Sequence, residues 1–349
     1  PLNLPTLNRL GLGNAIQAAS GKIAPNLPRV SGATWAAATE QSQGKDTPSG
    51  HWELAGLTVP WDWHYFPNTQ PSFPKEVTDA VCRAAHVSGI LGDCHASGTE
   101  IIQDLGQRHV ETGHPICYTS IDSVFQIAAH ETHFGLQRLY DLCTVIAPML
   151  HEMKVGRVIA RPFVGDHETG WTRTSNRRDF AIEPPRLILT NYLQNAGVHT
   201  RAIGKIGDIL SMQGIDQCVK GDDETLMTAL GDHVDNAPDH SFTFANFVEF
   251  DSLYGHRRDV SGYACALEWF DQKIGNVIAR LRPDDVMILT ADHGNDPTWI
   301  GTDHTRERVP VLIAGAKPKD IGVIGFHDVA ATIAQFFDVP YHGEGKNIL

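Results

Sequence analysis

Between residues 263 and 281 the apolar side chains Tyr263, Leu267, Phe270, Ile274, Val277 and Leu281 recur at three- and four-residue steps. That spacing puts them on one face of a helix about five turns long. Phe247–Phe250 precedes this helix and Val286–Thr290 follows it, both short apolar runs that read as strands, and Val309–Ala314 is a third. Strand, helix and strand in this order predict an α/β chain with a parallel sheet and right-handed crossovers. Asp251 and Asp292 then fall just past strand C-termini, where open α/β sheets place their sites.

At 349 residues the chain exceeds the size at which single cores split, so two domains are expected. Near the start, Pro5–Gly11 reads as a short helix with Pro in its first turn and Gly closing it. Residues 65–183 differ in texture, with many Pro, Gly and His residues and strands predicted at Pro115–Thr119 and Arg157–Ala160. Helices are predicted after Ser97, in a Ser-Gly-Thr-Glu capping box, and after Ser123, which has Gln126 three residues on. Pro184-Pro185 marks a boundary, and Leu187–Ala196 resumes a helical pattern. The expectation is a split α/β core, residues 1–64 and 184–349, with a cap domain of residues 65–183 inserted.

A formal net charge of −13 argues against a nucleic-acid partner. It is compatible with a phosphorylated metabolite if cations are concentrated locally. Six scattered cysteines with no CxxC pair read as reduced thiols of a cytoplasmic protein. There is no run of 18 apolar residues and no signal-peptide pattern, so no membrane partner is expected.

The chemistry concentrates near the C-terminus. FVEFDSLYGH, ILTADHGND and GTDHTRE carry Asp251, His256, Asp292, His293 and His304, which offer only oxygen and imidazole ligands. Such a set suits hard or borderline divalent ions. An adjacent Asp-His pair is also what a polar surface loop contains, and Asp-His-Gly alone would support nothing more. Two strand ends plus a nearby histidine favour the metal reading, and with it chemistry on phosphate esters. A second stretch, Gly44–Glu53, holds the hydroxyls of Thr47 and Ser49. A free hydroxyl is too weakly acidic to attack phosphorus at neutral pH, so Thr47 gains a role only beside bound metal.

KDTPSGHWE, SGTEII, YTSIDSVFQIAAHE, RPFVG, FDSLYGHRRDVSGYA and TADHGNDPTWIGTDHTRE together resemble the bacterial phosphopentomutases of the alkaline phosphatase superfamily. The resemblance implies an alkaline-phosphatase-like core sheet sandwiched by helices, with an inserted α+β cap. It implies an isomerase moving phosphate between O1 and O5 of ribose or deoxyribose through a phosphothreonine and a bisphosphate. By the same resemblance Thr47 is the phosphorylated residue. Asp251, His256 and His304 match the ligands of one ion, and Asp292 and His293 with Thr47 match those of the other, both expected to be Mn²⁺. Ser120, Asp122, Arg161, Arg177 and Lys205 match positions that hold the sugar phosphate, and a sugar bisphosphate is the implied activator that primes Thr47.

Each assignment has a plainer counterpart. Asp122 would equally cap the helix predicted after it, and Lys205 could be a surface lysine. Arg173, Arg178 and Arg306 read as a solvated basic surface, His51 as a support for the ligands and Trp52 as core. The family also begins with a strand ending in a metal-binding aspartate, whereas the first acidic residue here is Glu40. Either the sequence is a piece of a longer protein, or one metal site is a ligand short. The competing functions are a phosphoglycerate mutase or phosphatase of the same superfamily, and an impaired protein that only binds metal or sugar phosphate. Oligomeric state has no signal in the sequence.

Overall fold

The computed structural model describes residues 2–349, which divide into two compact units: residues up to Pro60 together with Pro184–Leu349, and Trp61–Glu183. The inserted unit therefore begins at Trp61, four residues before the expected boundary. Trp61 and Trp63 pack edge to face, and the His64 amide donates to the Lys154 carbonyl within that same unit.

The core unit opens with α1 (Pro5–Arg9), α2 (Leu12–Ser20), β1 (Thr34–Thr39) and α3 (Thr47–Leu54). The α1 amides of Thr6 and Leu7 donate to the buried Asp271 carboxylate at 3.1 and 2.7 Å. β1 is buried through Ala36, Ala37 and Ala38, whose small side chains let neighbouring layers approach closely.

The inserted unit contains α4 (Lys75–Ala85), β2 (Leu91–His95), α5 (Gly98–Thr112), β3 (Ile116–Thr119), β4 (Val124–His130), α6 (Leu136–Glu152), β5 (Arg157–Asp166), β6 (Gly170–Arg173) and β7 (Arg178–Ala181). Its sheet runs β2-β3-β4-β5-β6, with β7 sharing the outer edge of the ten-residue β5. One face packs on α4 and α6 through Cys117, Phe125, Ile127 and Val158. The other packs on α5 through Tyr118, Ala128, Phe163 and Trp171.

Two expectations fail here. No helix follows Ser123: residues 124–130 form β4, buried along its whole length. The Ser/Gln spacing imitates a capping box, but a strand covered on both faces loses alternation and reads as an apolar run. Ser97 does stand before α5, yet it forms no side-chain cap, and its hydroxyl bonds Thr99 Oγ1 instead.

The chain then returns to the core unit with α7 (Leu189–Asn195), β8 (His199–Ile203), α8 (Ile206–Ile209), β9 (Gln217–Val219), α9 (Asp223–Asn236), β10 (Ser241–Ala245), α10 (Val260–Ile278), β11 (Met287–Leu289), β12 (Val309–Ala314), β13 (Lys319–Gly325) and α11 (His327–Phe336). Its strands form two sheets, a parallel β10-β8-β9 and a mixed β11-β12-β1-β13 in which β12 is antiparallel to both neighbours. The predicted strand at Phe247–Phe250 lies upstream instead, as β10, and Phe250–Gly255 is a π-helical turn that carries Asp251. β10 and β11 do not pair. Each is the edge of its sheet, and their apolar residues are half-buried against shared clusters: Phe244, Val286 and Ile288 in one, Ala245, Met287 and Leu289 in another.

The inserted unit has a pH-sensitive buried group. His109 Nδ1 lies 2.6 Å from the His114 carbonyl, and its Nε2 accepts the His130 amide at 2.9 Å. Both nitrogens are thus committed to the neutral ring. Burial, aided by His130, His133 and Arg138 and opposed by the His114 bond, pulls its pKa down to about 4. An unfolded His109 takes up a proton near its ordinary 6.5. Stability is therefore complete above that pH and falls as the pH drops from 6.5 to 4, by on the order of 3 kcal/mol. Hydrogen-exchange protection factors of the β3 and β4 amides should decline over that interval; factors that stay level would remove His109 as the cause.

Candidate active site

β1 runs into a loop, residues 40–46, that delivers Thr47 to the first turn of α3. Asp46 caps α3, its carboxylate accepting the Ser49 amide at 3.0 Å. Gly50 lets α3 lie against the strand-end residue Asp292: a Cβ there would sit 1.8 Å from the Asp292 carbonyl oxygen. This close approach sets the Thr47 hydroxyl 3.4 Å from His293 Nε2.

Asp251, His256 and His304 come together with one potential ligand atom each, all within 4.8 Å of one another. His256 Nε2 is 3.2 Å from Asp251 Oδ2, and His304 Nε2 is 3.1 Å from Oδ1. The other ring nitrogens are anchored to backbone carbonyls, His256 Nδ1 to Thr302 at 2.6 Å and His304 Nδ1 to Lys45 at 2.9 Å. Carbonyl-anchored imidazoles presenting Nε2 beside a carboxylate are the usual arrangement of metal-ligating histidines, so these residues fit a divalent cation. Burial acts to raise the Asp251 pKa, but the bonds and charges of the two histidines outweigh it and hold the carboxylate far below its ordinary range.

Asp292 and His293 form a second group with Thr47. Asp292 Oδ2 lies 3.3 Å from His293 Nε2 and 3.0 Å from His51 Nδ1. Burial is again offset, here by His293 and His51, and Asp292 is held ionised. His51 is desolvated, but Asp292 and the Thr47 carbonyl more than compensate and raise its pKa. It therefore supports Asp292 and α3, while Trp52 is fully buried and donates to the Ile209 carbonyl. The two groups touch, because the His293 and His304 rings stack with centroids 3.8 Å apart. Among the described residues only the Asp251 group supplies three Asp, Glu, His or Cys ligands.

Several participants lack a sequence signal. Asn295 donates to Asp251 Oδ1 at 2.6 Å and accepts from Arg258, whose guanidinium also holds the Gly255, Gly301 and Asp303 carbonyls. Asn246 bridges the Lys205 amide and His51. Arg306 corrects the solvated-surface expectation: it donates to the Ser42, Gln43 and Gly44 carbonyls, pinning the loop before Thr47.

The predicted phosphate-holding residues are divided. Arg161 and Arg177 line one cavity of about 630 Å³ in the inserted unit. Arg161 lies inside β5 rather than at its end, at the point where β7 stops pairing and β6 has not begun. The Thr174 amide still donates to the Pro162 carbonyl there, and Thr174 and Arg177 of the intervening segment line the cavity. Ser120 and Asp122 occupy the β3–β4 turn outside this lining. Asp122 caps no helix; its carboxylate is 3.8 Å from Arg157. Lys205 belongs to the core unit.

A family model of the metalloenzyme superfamily matches residues 12–341. A phosphopentomutase of Rhizobium leguminosarum bv. trifolii (strain WSM2304) is 52% identical over 356 residues, covering 100% of this chain and 87% of the relative. One from Chelativorans sp. (strain BNC1) is 51% identical over 355 residues, covering 100% and 86%. Among solved structures, the PH0037 protein of Pyrococcus horikoshii aligns with a TM-score of 0.50 at 14% identity, over 98% of this chain and 92% of that one, a likeness of fold.

Gly50→Ala tests the close packing that places Thr47. The new methyl group must push α3 away from Asp292, so a loss of about 1–3 kcal/mol in urea denaturation is expected, with lower turnover. Unchanged stability and turnover would mean that the contact does not position Thr47.

Proposed function

The chain belongs to the phosphopentomutase family of the metalloenzyme superfamily, intramolecular phosphotransferases, and on that premise we propose how its residues divide the work. The substrate is a ribose or deoxyribose monophosphate. Thr47 carries a phosphoryl group in the resting enzyme, primed by a sugar bisphosphate, and transfers it to the free terminal hydroxyl of the sugar. The resulting bisphosphate turns over and returns its other phosphoryl group to Thr47. Each transfer breaks one P–O bond and forms another, so the enzyme is regenerated.

The observation that carries this reading is the Thr47 hydroxyl at the N-terminus of α3, facing His293 beside the Asp251–His256–His304 cluster. Helix N-terminal amides favour the negative charge of a phosphoryl group on Thr47. Divalent ions, Mn²⁺ in our reading, held by Asp251, His256 and His304 and by Thr47, Asp292 and His293, would polarise phosphoryl oxygens and stabilise the threonine oxygen as it leaves. His51 keeps Asp292 oriented, and the anchored ring nitrogens keep His256 and His304 from turning away. Arg161 and Arg177 hold the phosphate that is not being transferred, with Ser120, Asp122 and Lys205 assigned to the sugar phosphate as well. No described helix is long and apolar enough to cross a membrane, and we place the enzyme in the cytoplasm with a small sugar phosphate as its partner.

Conversion of ribose 1-phosphate should exceed both isomerisation of 3-phosphoglycerate and release of free phosphate. Thr47→Ala should abolish that conversion while metal content per chain stays close to the parent's. Dominant phosphate release would replace the mutase with a phosphatase, and normal turnover in Thr47→Ala would remove the phosphothreonine.

A further inference from the structure

Arg258 lies between the π-helical turn that carries Asp251 and the start of α10, and its backbone is left-handed, with a φ of 55°. Long side chains rarely adopt that region, and they stay there where surrounding contacts over-determine the conformation. Here the contacts are five hydrogen bonds from one guanidinium. Nε donates to the Gly301 carbonyl and Nη2 to the Asp303 carbonyl, both at 2.6 Å. Nη1 donates to the Gly255 and Asp296 carbonyls at 2.9 and 3.1 Å and to Asn295 Oδ1. Every acceptor is an uncharged carbonyl or amide oxygen, so Arg258 is held by the shape of its fork and not by an ion pair.

Those acceptors adjoin the Asp251, His256 and His304 cluster on every side. Gly255 immediately precedes His256, and Asp303 immediately precedes His304. Gly301 and Asp303 flank Thr302, whose carbonyl anchors His256 Nδ1. Asn295 is buried and passes the contact on to Asp251, donating Nδ2 to Oδ1 at 2.6 Å. The amide is closely fitted, since a Cβ on Gly255 would lie 2.5 Å from Asn295 Nδ2 and only glycine leaves room for it. One guanidinium thus ties residues 255, 295–296 and 301–303 to one another, and each of these segments carries or touches a ligand.

We infer that Arg258 is a positioning residue for this metal site: through its fork and through Asn295 it presets Asp251, His256 and His304 before an ion arrives. The role rests on the metal reading above and adds two residues outside the ligand set. Charge and geometry predict opposite signs here. A guanidinium near a cation site repels the cation, so charge alone predicts tighter metal binding once Arg258 is removed. Preorganisation predicts weaker binding, because groups that orient metal ligands contribute about 10- to 100-fold to affinity. Lysine keeps the charge, but its compact ammonium cannot serve acceptors spread around a planar fork.

Mn²⁺ titration of the full chain, stripped of metal with chelator and followed through the paramagnetic resonance signal of the free ion, tests the role. The relevant ion is the one that Asp251→Asn abolishes. Arg258→Gln and Arg258→Lys should each weaken it by about 10- to 100-fold. Asn295→Ala should weaken it too, and joining it to Arg258→Gln should cost less than the product of the two single losses, because both act on Asp251 along one path. Parental or tighter affinity in Arg258→Gln overturns the role, and so does parental affinity in Arg258→Lys, where charge alone would suffice. Should Arg258→Gln lose the parent's circular dichroism, Asn295→Ala decides, and parental Mn²⁺ affinity in that variant overturns the role. A parent that binds no Mn²⁺ removable by Asp251→Asn brings down the metal reading and the role together. A parent that binds it, beside variants that bind it equally well, brings down the role alone.

Discussion

The site depends on two loops that lie more than 250 residues apart in sequence and hold one another through their backbones. The Lys45 ammonium donates to the His304 carbonyl at 2.7 Å, and His304 Nδ1 faces the Lys45 carbonyl at 2.9 Å. Lys45 is also paired with Asp303 at 2.6 Å, and Arg306 gathers the carbonyls of Ser42, Gln43 and Gly44. These bonds satisfy a run of loop carbonyls that neither helix nor sheet could pair. They also make the position of the Thr47 hydroxyl and the ring orientation of His304 one geometric quantity. A shift in either loop would displace the Thr47 hydroxyl and the His304 ring together.

The same loop is braced from beneath by carboxylates. Glu53, fully buried on α3, accepts the amides of Gln41 and Ser42 and the Ser42 hydroxyl. Glu40 lies 3.6 Å from Arg306, yet burial, reinforced by Glu53, Asp46 and Asp292, pushes its pKa up to about 8. A neutral Glu40 at pH 7 avoids adding another negative charge beside Asp292. The acid that stays ionised, Asp292, is the one paired with His51 and His293.

What the sequence reveals about this arrangement follows from how local each signal is. The period of α10 is legible because one helix face is apolar over its whole length, and Asp251, His256 and His304 are legible because few surface loops concentrate such ligands. β4 was hidden, since Val124–His130 is buried on both faces and a chance Ser/Gln spacing outweighed it. The run at Phe247–Phe250 has β-rich composition, but its aromatic rings pack on α10, Phe247 and Phe250 both against Phe270, and the chain there leaves the strand for a π-helical turn. Arg306 and Arg258 could not be recognised at all. They act on backbone carbonyls of distant loops, and a carbonyl has no residue identity for a pattern to register.

The charge distribution explains how a chain of net charge −13 can take an anionic substrate. Around Thr47 the fixed charges are mainly carboxylates, Asp46, Asp251 and Asp292, and alone they would repel a phosphate. A phosphate could approach there only with cations bound to the carboxylates. The cavity of the inserted unit has the opposite character, with Arg161, Arg173 and Arg177 built into strand and loop. Arg161 shows the cost: burial, with Arg177 and Arg173 nearby, brings its pKa down to about 10 despite Tyr118 and Asp179. Like charges held this close are unfavourable unless an anion lies among them. The cavity therefore carries permanent cations, whereas the cluster of Asp251 and Asp292 carries permanent anions that favour a bound cation.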